Sequence, residues 1–546
     1  MASVDPGIYA VEEWTDDEAD VLRRYFTNLD GPVFALVNLP EVVKGALFAR
    51  YSRSAKSLRR LFLDEFVGEL DTSGDAGVDA TIGLRRAEQL YDRVFGDYGD
   101  DSVAQLGGVH LACEQSSNAL TKVLEWGRLM SYLEQSTRYI TYDARLPSGH
   151  YRYYRDPAIL DSPLGARYVG EMDRMFDTYS ELLPALQEHL MRRHPEDRSG
   201  VSAIAYRQSV RARALDALRG LLPAGSLSNV GVYGSGQGYE QLLLRMAVHP
   251  LPEVRAYGEL VEAELQKVIP SFLSRLHRPD RGGAWRSYLD GQRAATAAFV
   301  HELFAGQSAA PVPPGRGEPS VRLVDHDPDG EEKVLVAACF AATDLPEERI
   351  AALVARLPPD ERAQLLAAYV GDRQNRRHKP GRAFERTAYR FEIVSDYGAF
   401  RDLQRHRMLT VEWQPLGVDL GWSVPELVEE AGLAAPYGAS LERSAALHVA
   451  LAERFPEQAV YAIALGFQLR YNLQLNAREA MHVCELRSGP QGHPAYRAIA
   501  QEMHRQIGDV AGHRALAAAM GFVDHSTVEL GRLEAEERLA RTADAS

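Results

Sequence analysis

Alternating apolar and polar residues predict a β-strand at a comparable place in each half of the chain. The two stretches are VHLACE, which begins at Val109, and AYRFEIV, which begins at Ala388. Strict alternation is typical of a half-buried strand, and the apolar residues that follow at helical spacing predict a helix after each one. The two predicted helices end close to Arg128 and Arg407. The same order of elements therefore occurs twice.

Further patterns repeat in the same order. Each half opens with a strand-like stretch followed by a helical one, near 31–52 and 320–341, and each closes on helical segments with a Leu–Arg pair, at 242–257 and 484–499. Between the halves, the run QSAAPVPPGRGEP at 307–319 is too rich in proline and glycine to continue a helix, which indicates a linker. We therefore predict an α+β protein with two diverged copies of one domain, residues 1–306 and 320–546.

Charge and composition limit the kinds of partner that this protein can have. The 546 residues include 61 Lys and Arg against 76 Asp and Glu, a net charge of −15. An acidic protein is a poor non-specific nucleic-acid binder, so we expect no nucleic-acid partner. No run approaches 18 apolar residues and the acidic N-terminus lacks a signal sequence, so we expect a cytoplasmic protein without a membrane partner. Three scattered cysteines favour neither disulfides nor a cysteine zinc site, and we expect no metal.

Short polar motifs stand out against this background. The first copy contains LEQSTRY at 133–139 and an arginine, Arg219, shortly before Leu-Pro. The second copy contains Arg-His-Arg at 405–407 and a late helix with polar residues in the pattern Asn-x-Arg-x-x-x-His, followed by Leu-Arg at 486–487. Taken singly, each motif has an ordinary explanation. Arg-His-Arg is typical of a solvated helix end, LEQSTRY of a surface turn, and the histidine of a half-buried side chain with satisfied hydrogen bonds.

Taken together, the motifs resemble the signature of the flavin-dependent thymidylate synthases. That signature has Arg-His-Arg, a serine three residues on and then Ser-x-Arg. Weaker similarities to the same family occur at Ser102-Val103 with Gln105, and at Arg382 with Phe384-Glu385-Arg386. The resemblance implies that each copy has a small mixed sheet flanked by long helices, and that the two copies form a fused pseudo-dimer. Because the family works as a tetramer of single domains, it also implies a homodimer of the fused chain.

The two copies retain complementary parts of the signature. The first copy has Trp126-Gly127 in place of Arg-His, and we align Gly234, Gly236 and Glu240 with the polar residues of the late helix. The second copy has Pro415 and Gly417 in place of the Ser-x-Arg pair, and Val460 near the position of Arg219. In the family each nucleotide site is built from two subunits. The resemblance therefore implies one composite site, shared by the two copies.

The resemblance assigns roles to the retained residues. The nucleotide would be bound by Glu134, Gln135, Ser136, Arg138, Arg219, Arg405 and Arg487, of which Ser136, Arg405 and Arg487 would also serve catalysis. FAD would be contacted by Glu385, Arg405, His406, Arg407, Asn476, Arg478 and His482. These types suit the ligands, because arginines make charge-assisted, often bidentate, hydrogen bonds to phosphate and to carbonyl edges. Reduced flavin supplies the hydride, so no cysteine nucleophile is needed.

The implied reaction is FAD-dependent reductive methylation at C5 of a uridine nucleotide, dUMP or a related one. A methylenetetrahydrofolate-type donor and NADPH would be the co-substrates. Three positions depart from the family: Thr410 replaces a serine, Arg386 a histidine, and Asp402 a glutamine that often contacts the base. The last departure could indicate a different pyrimidine nucleotide, such as a ribonucleotide. The alternative is a non-catalytic nucleotide- or flavin-binding relative with a role in assembly or regulation.

Overall fold

We analysed a computed structural model of the chain. It describes residues 8–10, 12–39, 41–65, 67, 108–196, 202–307, 312–313, 315–527 and 531. The stretch Ser102-Val103 with Gln105, noted for its weak family resemblance, lies outside these residues. No described helix combines the length and the apolar character that a membrane span requires.

The described part of the first copy contains four strands and eleven helices. They are α1 Asp16–Leu22, β1 Val33–Leu36, α2 Glu41–Tyr51, α3 Leu58–Glu65, β2 Gly108–Ser117, α4 Asn118–Leu124, β3 Met130–Glu134, α5 Pro157–Leu160, α6 Gly165–Arg193, α7 Ala203–Leu218, β4 Leu227–Ser235, α8 Gly236–Ala247, α9 Pro252–Leu265, α10 Pro270–Leu273 and α11 Ala284–Leu303. A 3-10 turn at Arg219–Leu221 follows α7.

The described part of the second copy repeats the strand pattern. Its elements are β5 Ser320–His326, α12 Gly330–Phe340, α13 Glu347–Val354, α14 Pro359–Val370, β6 Ala388–Asp396, α15 Tyr397–Leu403, β7 Thr410–Trp413, α16 Glu426–Glu430, α17 Ala434–Ala452, β8 Gln468–Asn476, α18 Ala477–Arg487, α19 Pro494–Asp509 and α20 Arg514–Ala519.

Both sheets have four strands in the same spatial order. The first is β1-β2-β4-β3 and the second is β5-β6-β8-β7. The predicted α+β class and the two copies of one domain are confirmed. Every strand pair is antiparallel, so our expectation of a mixed sheet in each copy was wrong. The central strands β6 and β8 are antiparallel neighbours, so Asp396 at the end of β6 and Asn476 at the end of β8 lie at opposite ends of the sheet.

Contacts group the chain into two units whose boundaries differ from a simple division at the linker. One unit contains residues 1–180, 222–310 and 443–464, and the other contains 181–221, 311–442 and 465–546. Arg219 and helix α7 therefore belong to the unit that contains most of the second copy. This assignment bears directly on the candidate site.

In each unit the two central strands lead directly into helices, and a polar side chain caps each helix. The caps are Ser117 before α4, Ser235 before α8, Asp396 before α15 and Asn476 before α18, and each accepts a hydrogen bond from a backbone N–H in the first turn. Such caps satisfy N–H groups that lack an intrahelical partner. The junctions hold the residues that follow β6 and β8 in fixed positions.

A buried carboxyl group in the first unit makes its stability depend on pH. Glu253 on α9 is buried and accepts hydrogen bonds from the Ser117 backbone N–H at 3.0 Å and from Ser117 Oγ at 2.6 Å. Burial raises the pKa of Glu253 to about 7, although the hydrogen bonds from Ser117 oppose the shift. The folded protein therefore holds this proton to higher pH than the unfolded chain does, so ionisation of Glu253 destabilises the fold as pH rises from about 4.5 to about 7.

We expect Glu253→Gln to remove that dependence. Relative to wild type, the variant gains up to about 3 kcal/mol in its free energy of unfolding as pH rises through this range, since one pKa unit corresponds to about 1.36 kcal/mol. Urea unfolding at pH 5 and pH 8 measures the difference. Glu259→Gln, at an exposed position on the same helix, is the matched control. If the difference in free energy of unfolding between Glu253→Gln and wild type stays constant over this range, the raised pKa of Glu253 is contradicted.

Candidate active site

Asp402 forms the centre of a cluster of arginines in the second unit. It lies in the last turn of α15, and its Oδ2 accepts a hydrogen bond from Arg219 Nη1 at 3.1 Å. Burial alone would raise the pKa of Asp402, but Arg219, Arg405 and Arg487 hold it well below its usual range. These three arginines are among the predicted nucleotide-binding residues, so the structure brings them to one carboxylate.

Arg219 has unused hydrogen-bonding capacity. Arg219 is only 4 % exposed, and neither its Nε nor its Nη2 has a hydrogen-bond partner. The nearest carboxylate to Nη2 is that of Asp396, at 3.6 Å. Because a buried donor without a partner is costly, these two groups are suited to a ligand that accepts hydrogen bonds.

A cavity of about 180 Å³ adjoins this arginine. Arg219, Asp396, Tyr437 and His493 are among its lining residues. The absence of a side chain at Gly398 leaves room for the guanidinium, because a Cβ there would lie 2.7 Å from Arg219 Nε. The glycine therefore permits the close approach of α15 to the arginine.

A hydrogen bond fixes the protonation state of His406. The Arg487 Nε–H donates to His406 Nε2 at 2.8 Å, so Nε2 carries no proton. Burial, assisted by the nearby charges of Arg487 and Lys379, lowers the pKa of His406 to about 3. The imidazole is therefore neutral, with its proton on Nδ1, which lies 3.4 Å from Glu479 Oε1.

The other predicted flavin contacts have partly defined environments. Asn476 Oδ1 caps α18 by accepting from Glu479 N at 2.9 Å, which leaves its amide N–H groups as donors for a ligand. Arg478 donates through Nε to the Pro380 carbonyl and lies 3.5 Å from Glu385 Oε1. Arg407 is exposed and His482 is half-buried, with a pKa that burial lowers to about 4.

This donor set fits a flavin nucleotide. Amide and guanidinium donors on the exposed side of β8 and α18 suit phosphate oxygens and ring carbonyls. Glu385 has a different environment, because its carboxylate is shared between Arg382 at 3.0 Å and Arg478 at 3.5 Å. Its role as a flavin contact remains a prediction, and the geometry also allows it to position Arg478.

Among the described residues, one group of side chains has the spacing of a metal site. Ligand atoms of His406, Glu479 and His482 lie within 4.8 Å of one another. Coordination through His406 Nδ1 would require the proton to move to Nε2, where it would face the Arg487 Nε–H at 2.8 Å. Two donors in that position repel each other, so the hydrogen bond disfavours metal binding here.

The Ser-x-Arg loop of the first copy lies in the other unit and follows β3. Ser136 Oγ accepts from the Arg138 backbone N–H at 3.3 Å, which forms a tight turn. Gln135 is buried, and its amide donates to the Ser54 carbonyl at 2.7 Å. Glu134 is also buried and lies 3.7 Å from the ammonium of Lys122. The contacts of Glu134 and Gln135 stabilise the loop from within, and both remain predicted nucleotide contacts.

Side chains fill the first copy where the second has Arg-His. A Cβ on Gly127 would lie 2.6 Å from Tyr132 Oη, and a Cβ on Gly234 would lie 2.6 Å from Met130 Cε. Arg275 forms two hydrogen bonds to the buried Glu240, at 3.0 and 2.6 Å. The volume at this position of the first unit is therefore occupied by Met130 and Tyr132.

Strand register corrects our alignment of the late helices. Ser131 pairs with Tyr233, and its counterpart Thr410 pairs with Gln474. The caps Ser235 and Asn476 are then equivalent, and our alignment of Gly234, Gly236 and Glu240 with Asn476, Arg478 and His482 was shifted by one residue. The corrected counterparts are Ser235, Gln237 and Gln241. The flavin-type residues of the second copy are still absent from the first.

Two members of the site were missed in the sequence. Asp396 and Glu479 contact Arg219 and His406, yet neither belongs to a family motif. The signal for Asp396 was available, because an Asx residue between a strand and a helix predicts a cap.

Comparisons with known proteins identify the family of the chain. A family model described as thymidylate synthase complementing protein matches residues 48–271 and 322–512, one segment in each copy. The chain belongs to this family. Membership confirms the resemblance. In general, this family supports a thymidylate-synthase-like, flavin-dependent enzyme that methylates a nucleotide.

Curated relatives of this family member extend over almost its whole length. A UPF0159 protein of Chlamydia muridarum is 40% identical over 96% of this chain and 98% of its own. A UPF0159 protein of Thermoplasma acidophilum is 32% identical over 91% of this chain and 98% of its own. Among solved structures, the UMP/dUMP methylase PolB from Streptomyces cacaoi bound with 5-Br dUMP is 17% identical, with a TM-score of 0.32 over 37% of this chain and 96% of that one.

Proposed function

We propose that this protein catalyses FAD-dependent reductive methylation at C5 of a uridine nucleotide, with methylenetetrahydrofolate and NADPH as co-substrates. The observation that carries the proposal is the cluster of Arg219, Arg405 and Arg487 around Asp402. Arg219 comes from the first copy by sequence, and the other residues come from the second. Residues retained by different copies thus support one shared nucleotide site.

The hydrogen-bond donors and the acceptor in this cluster match the edge of uracil that carries O2, N3–H and O4. Uracil presents two carbonyl acceptors, O2 and O4, on either side of the N3–H donor. Arginine N–H groups can donate to the carbonyls, and the Asp402 carboxylate can accept from N3–H. Cytosine has an acceptor at N3, which would face the carboxylate without a hydrogen. A site built on these groups therefore favours UMP or dUMP over CMP.

Several other predicted site residues also have roles in the proposal. Reduced FAD, when bound, supplies the hydride that completes the methyl group. His406 accepts from Arg487 and so orients that guanidinium toward the nucleotide, while Asn476, Arg478, Arg407 and His482 bind the flavin nucleotide. Ser136 and Arg138 bind the phosphate, because a hydroxyl and a guanidinium on a tight turn suit phosphate oxygens.

Single substitutions test whether the site is shared. We expect Arg138→Ala and Arg405→Ala each to weaken UMP and dUMP binding by at least tenfold, because each removes at least one charge-assisted hydrogen bond of about 1.5–3 kcal/mol. Isothermal titration calorimetry measures the affinity. Arg24→Ala, at an exposed position outside the site, is expected to bind like wild type. Unchanged binding in either site variant contradicts a shared site.

The second candidate is a relative that binds nucleotide and flavin without turnover, with a role in assembly or regulation. One observation favours this candidate, since Met130 and Tyr132 in the first unit lie against the backbone of Gly234 and Gly127, at or next to the positions where the second copy has the predicted flavin residues. Turnover assays separate the two functions, because this candidate retains UMP binding but yields no methylated product.

A further inference from the structure

Helix α11 presents a long apolar face to solvent. It has 20 residues, and none of its side chains is buried. Tyr288 is 62% exposed, Phe299 66% and Leu303 62%. Large apolar side chains clustered on a soluble protein mark an interaction surface. The family match of the first copy ends at residue 271, so this helix lies outside the part of the copy that the family defines.

The opposite side of α11 attaches the helix to its own unit. Arg293 Nη1 donates to the Val248 carbonyl, and Arg286 Nη2 donates to the Leu276 carbonyl at 2.7 Å. Residues 286 and 293 are seven positions apart and so share one side of the helix. Tyr288 and Phe299 lie more than a quarter turn away from this side, at 100° per residue.

The exposed face follows a coiled-coil pattern. Trp285, Tyr288, Gln292, Ala295 and Phe299 are spaced by three, four, three and four residues, which is the spacing of a and d positions. Aromatic residues occupy both ends of this seam, and Gln292 and Ala295 occupy its middle. Such a seam fits another helix of the same kind.

We propose that α11 pairs antiparallel with α11 of a second copy of this chain. A two-fold axis between Arg293 and Ala294 places Tyr288 opposite Phe299 of the second copy and Gln292 opposite Ala295. Each pair then occurs twice, as an isologous interface requires. The small Ala295 allows close approach at the centre, and aromatic pairs pack at both ends.

Charge favours this orientation over the parallel one. Glu302 continues the seam at the end of the helix, one residue before Leu303. Parallel pairing would place two Glu302 carboxylates together, whereas antiparallel pairing places Glu302 opposite Trp285, near Arg281. Antiparallel helices also bring the N-terminal end of each macrodipole to the C-terminal end of the other.

The size of the seam sets the expected affinity. Twenty residues span about 30 Å, which gives an interface at the small end of the range for specific association. We therefore expect association that depends on concentration in the micromolar range.

Light scattering after size exclusion tests the pairing in the full chain. We expect Phe299→Glu and Tyr288→Glu each to halve the particle mass at micromolar concentration. Phe340→Glu, at a position 54% exposed in the other unit, is the matched control and keeps the wild-type mass. Circular dichroism checks that each variant is folded. A wild-type particle of one chain, or folded site variants with the wild-type mass, overturns the proposal.

Cysteine cross-linking tests the orientation. Antiparallel pairing places residue 285 opposite residue 302 of the second copy, and separates like residues at these two positions by about 25 Å at 1.5 Å per residue. The double variant Trp285→Cys with Glu302→Cys is expected to cross-link under oxidation, whereas the single variants and wild type are not. Cross-linking of either single variant, or of none, overturns the antiparallel pairing.

Discussion

Replacing Arg219 by alanine is expected to weaken UMP and dUMP binding by at least 100-fold. Its Nε and Nη2 groups are buried without hydrogen-bond partners, so a nucleotide that bonds to both gains two charge-assisted hydrogen bonds. Each is worth about 1.5–3 kcal/mol, and every 1.4 kcal/mol corresponds to a factor of ten in affinity. Isothermal titration calorimetry with UMP, dUMP and CMP measures the loss.

Two further variants separate the lost hydrogen bonds from a general disturbance. Arg207→Ala removes an exposed arginine on α7, twelve residues before Arg219, and is expected to leave binding unchanged. Gly398→Ala keeps the arginine but places a Cβ 2.7 Å from its Nε, so the guanidinium must move and binding must weaken. Wild-type affinity in Arg219→Ala would show that these donors do not bind the nucleotide.

The second large effect is expected for Asp402→Asn. The carboxylate compensates Arg219, Arg405 and Arg487, and breaking a buried ion pair typically costs about 3–5 kcal/mol. The Asp402 side chain is 22% exposed, so we expect a loss near the lower limit, about 3 kcal/mol. Urea unfolding at pH 7 measures it, and Asp344→Asn, at an exposed position, is the control.

The same ion pair predicts that the stability of the fold falls at acid pH. The pKa of Asp402 is lower in the folded protein than in the unfolded chain. Its contribution to stability is therefore fully present above the unfolded pKa, near 4, and is lost as pH falls below it. The difference between Asp402→Asn and wild type should narrow below about pH 4. A difference that is equally large at pH 3 and pH 7 contradicts the ion-pair explanation.

Strands and motifs near them were the most predictable features. Alternation in VHLACE and AYRFEIV located β2 and β6, because one face of each strand packs on the core. The glycine-rich run Gly231–Gly238 was harder to assign from the sequence, because glycine favours neither a strand nor a helix. The structure shows β4 through Ser235 and α8 from Gly236. Central pairing with β2 and β3 overrides the weak strand propensity of glycine there.

The centre of the site could be predicted only in part. Motifs identified Arg219, Arg405 and Arg487, because such arginines occur in recognisable local sequences. Their convergence on Asp402 depends on the placement of residues 181–221 in the second unit, and no local pattern encodes that packing. Asp402 appeared in the sequence only as a departure from the family, whereas the structure gives it a positive role as the acceptor among the arginines.

The proposed reaction is tested most directly by a product assay on the purified full chain. The protein is incubated with UMP or dUMP, methylenetetrahydrofolate and NADPH, and the nucleotides are analysed by mass spectrometry while absorbance follows the bound flavin. The account predicts retained FAD and a uridine nucleotide heavier by one CH₂ unit at C5. It also predicts no product from CMP. A folded protein that retains no flavin and methylates neither UMP nor dUMP would contradict it.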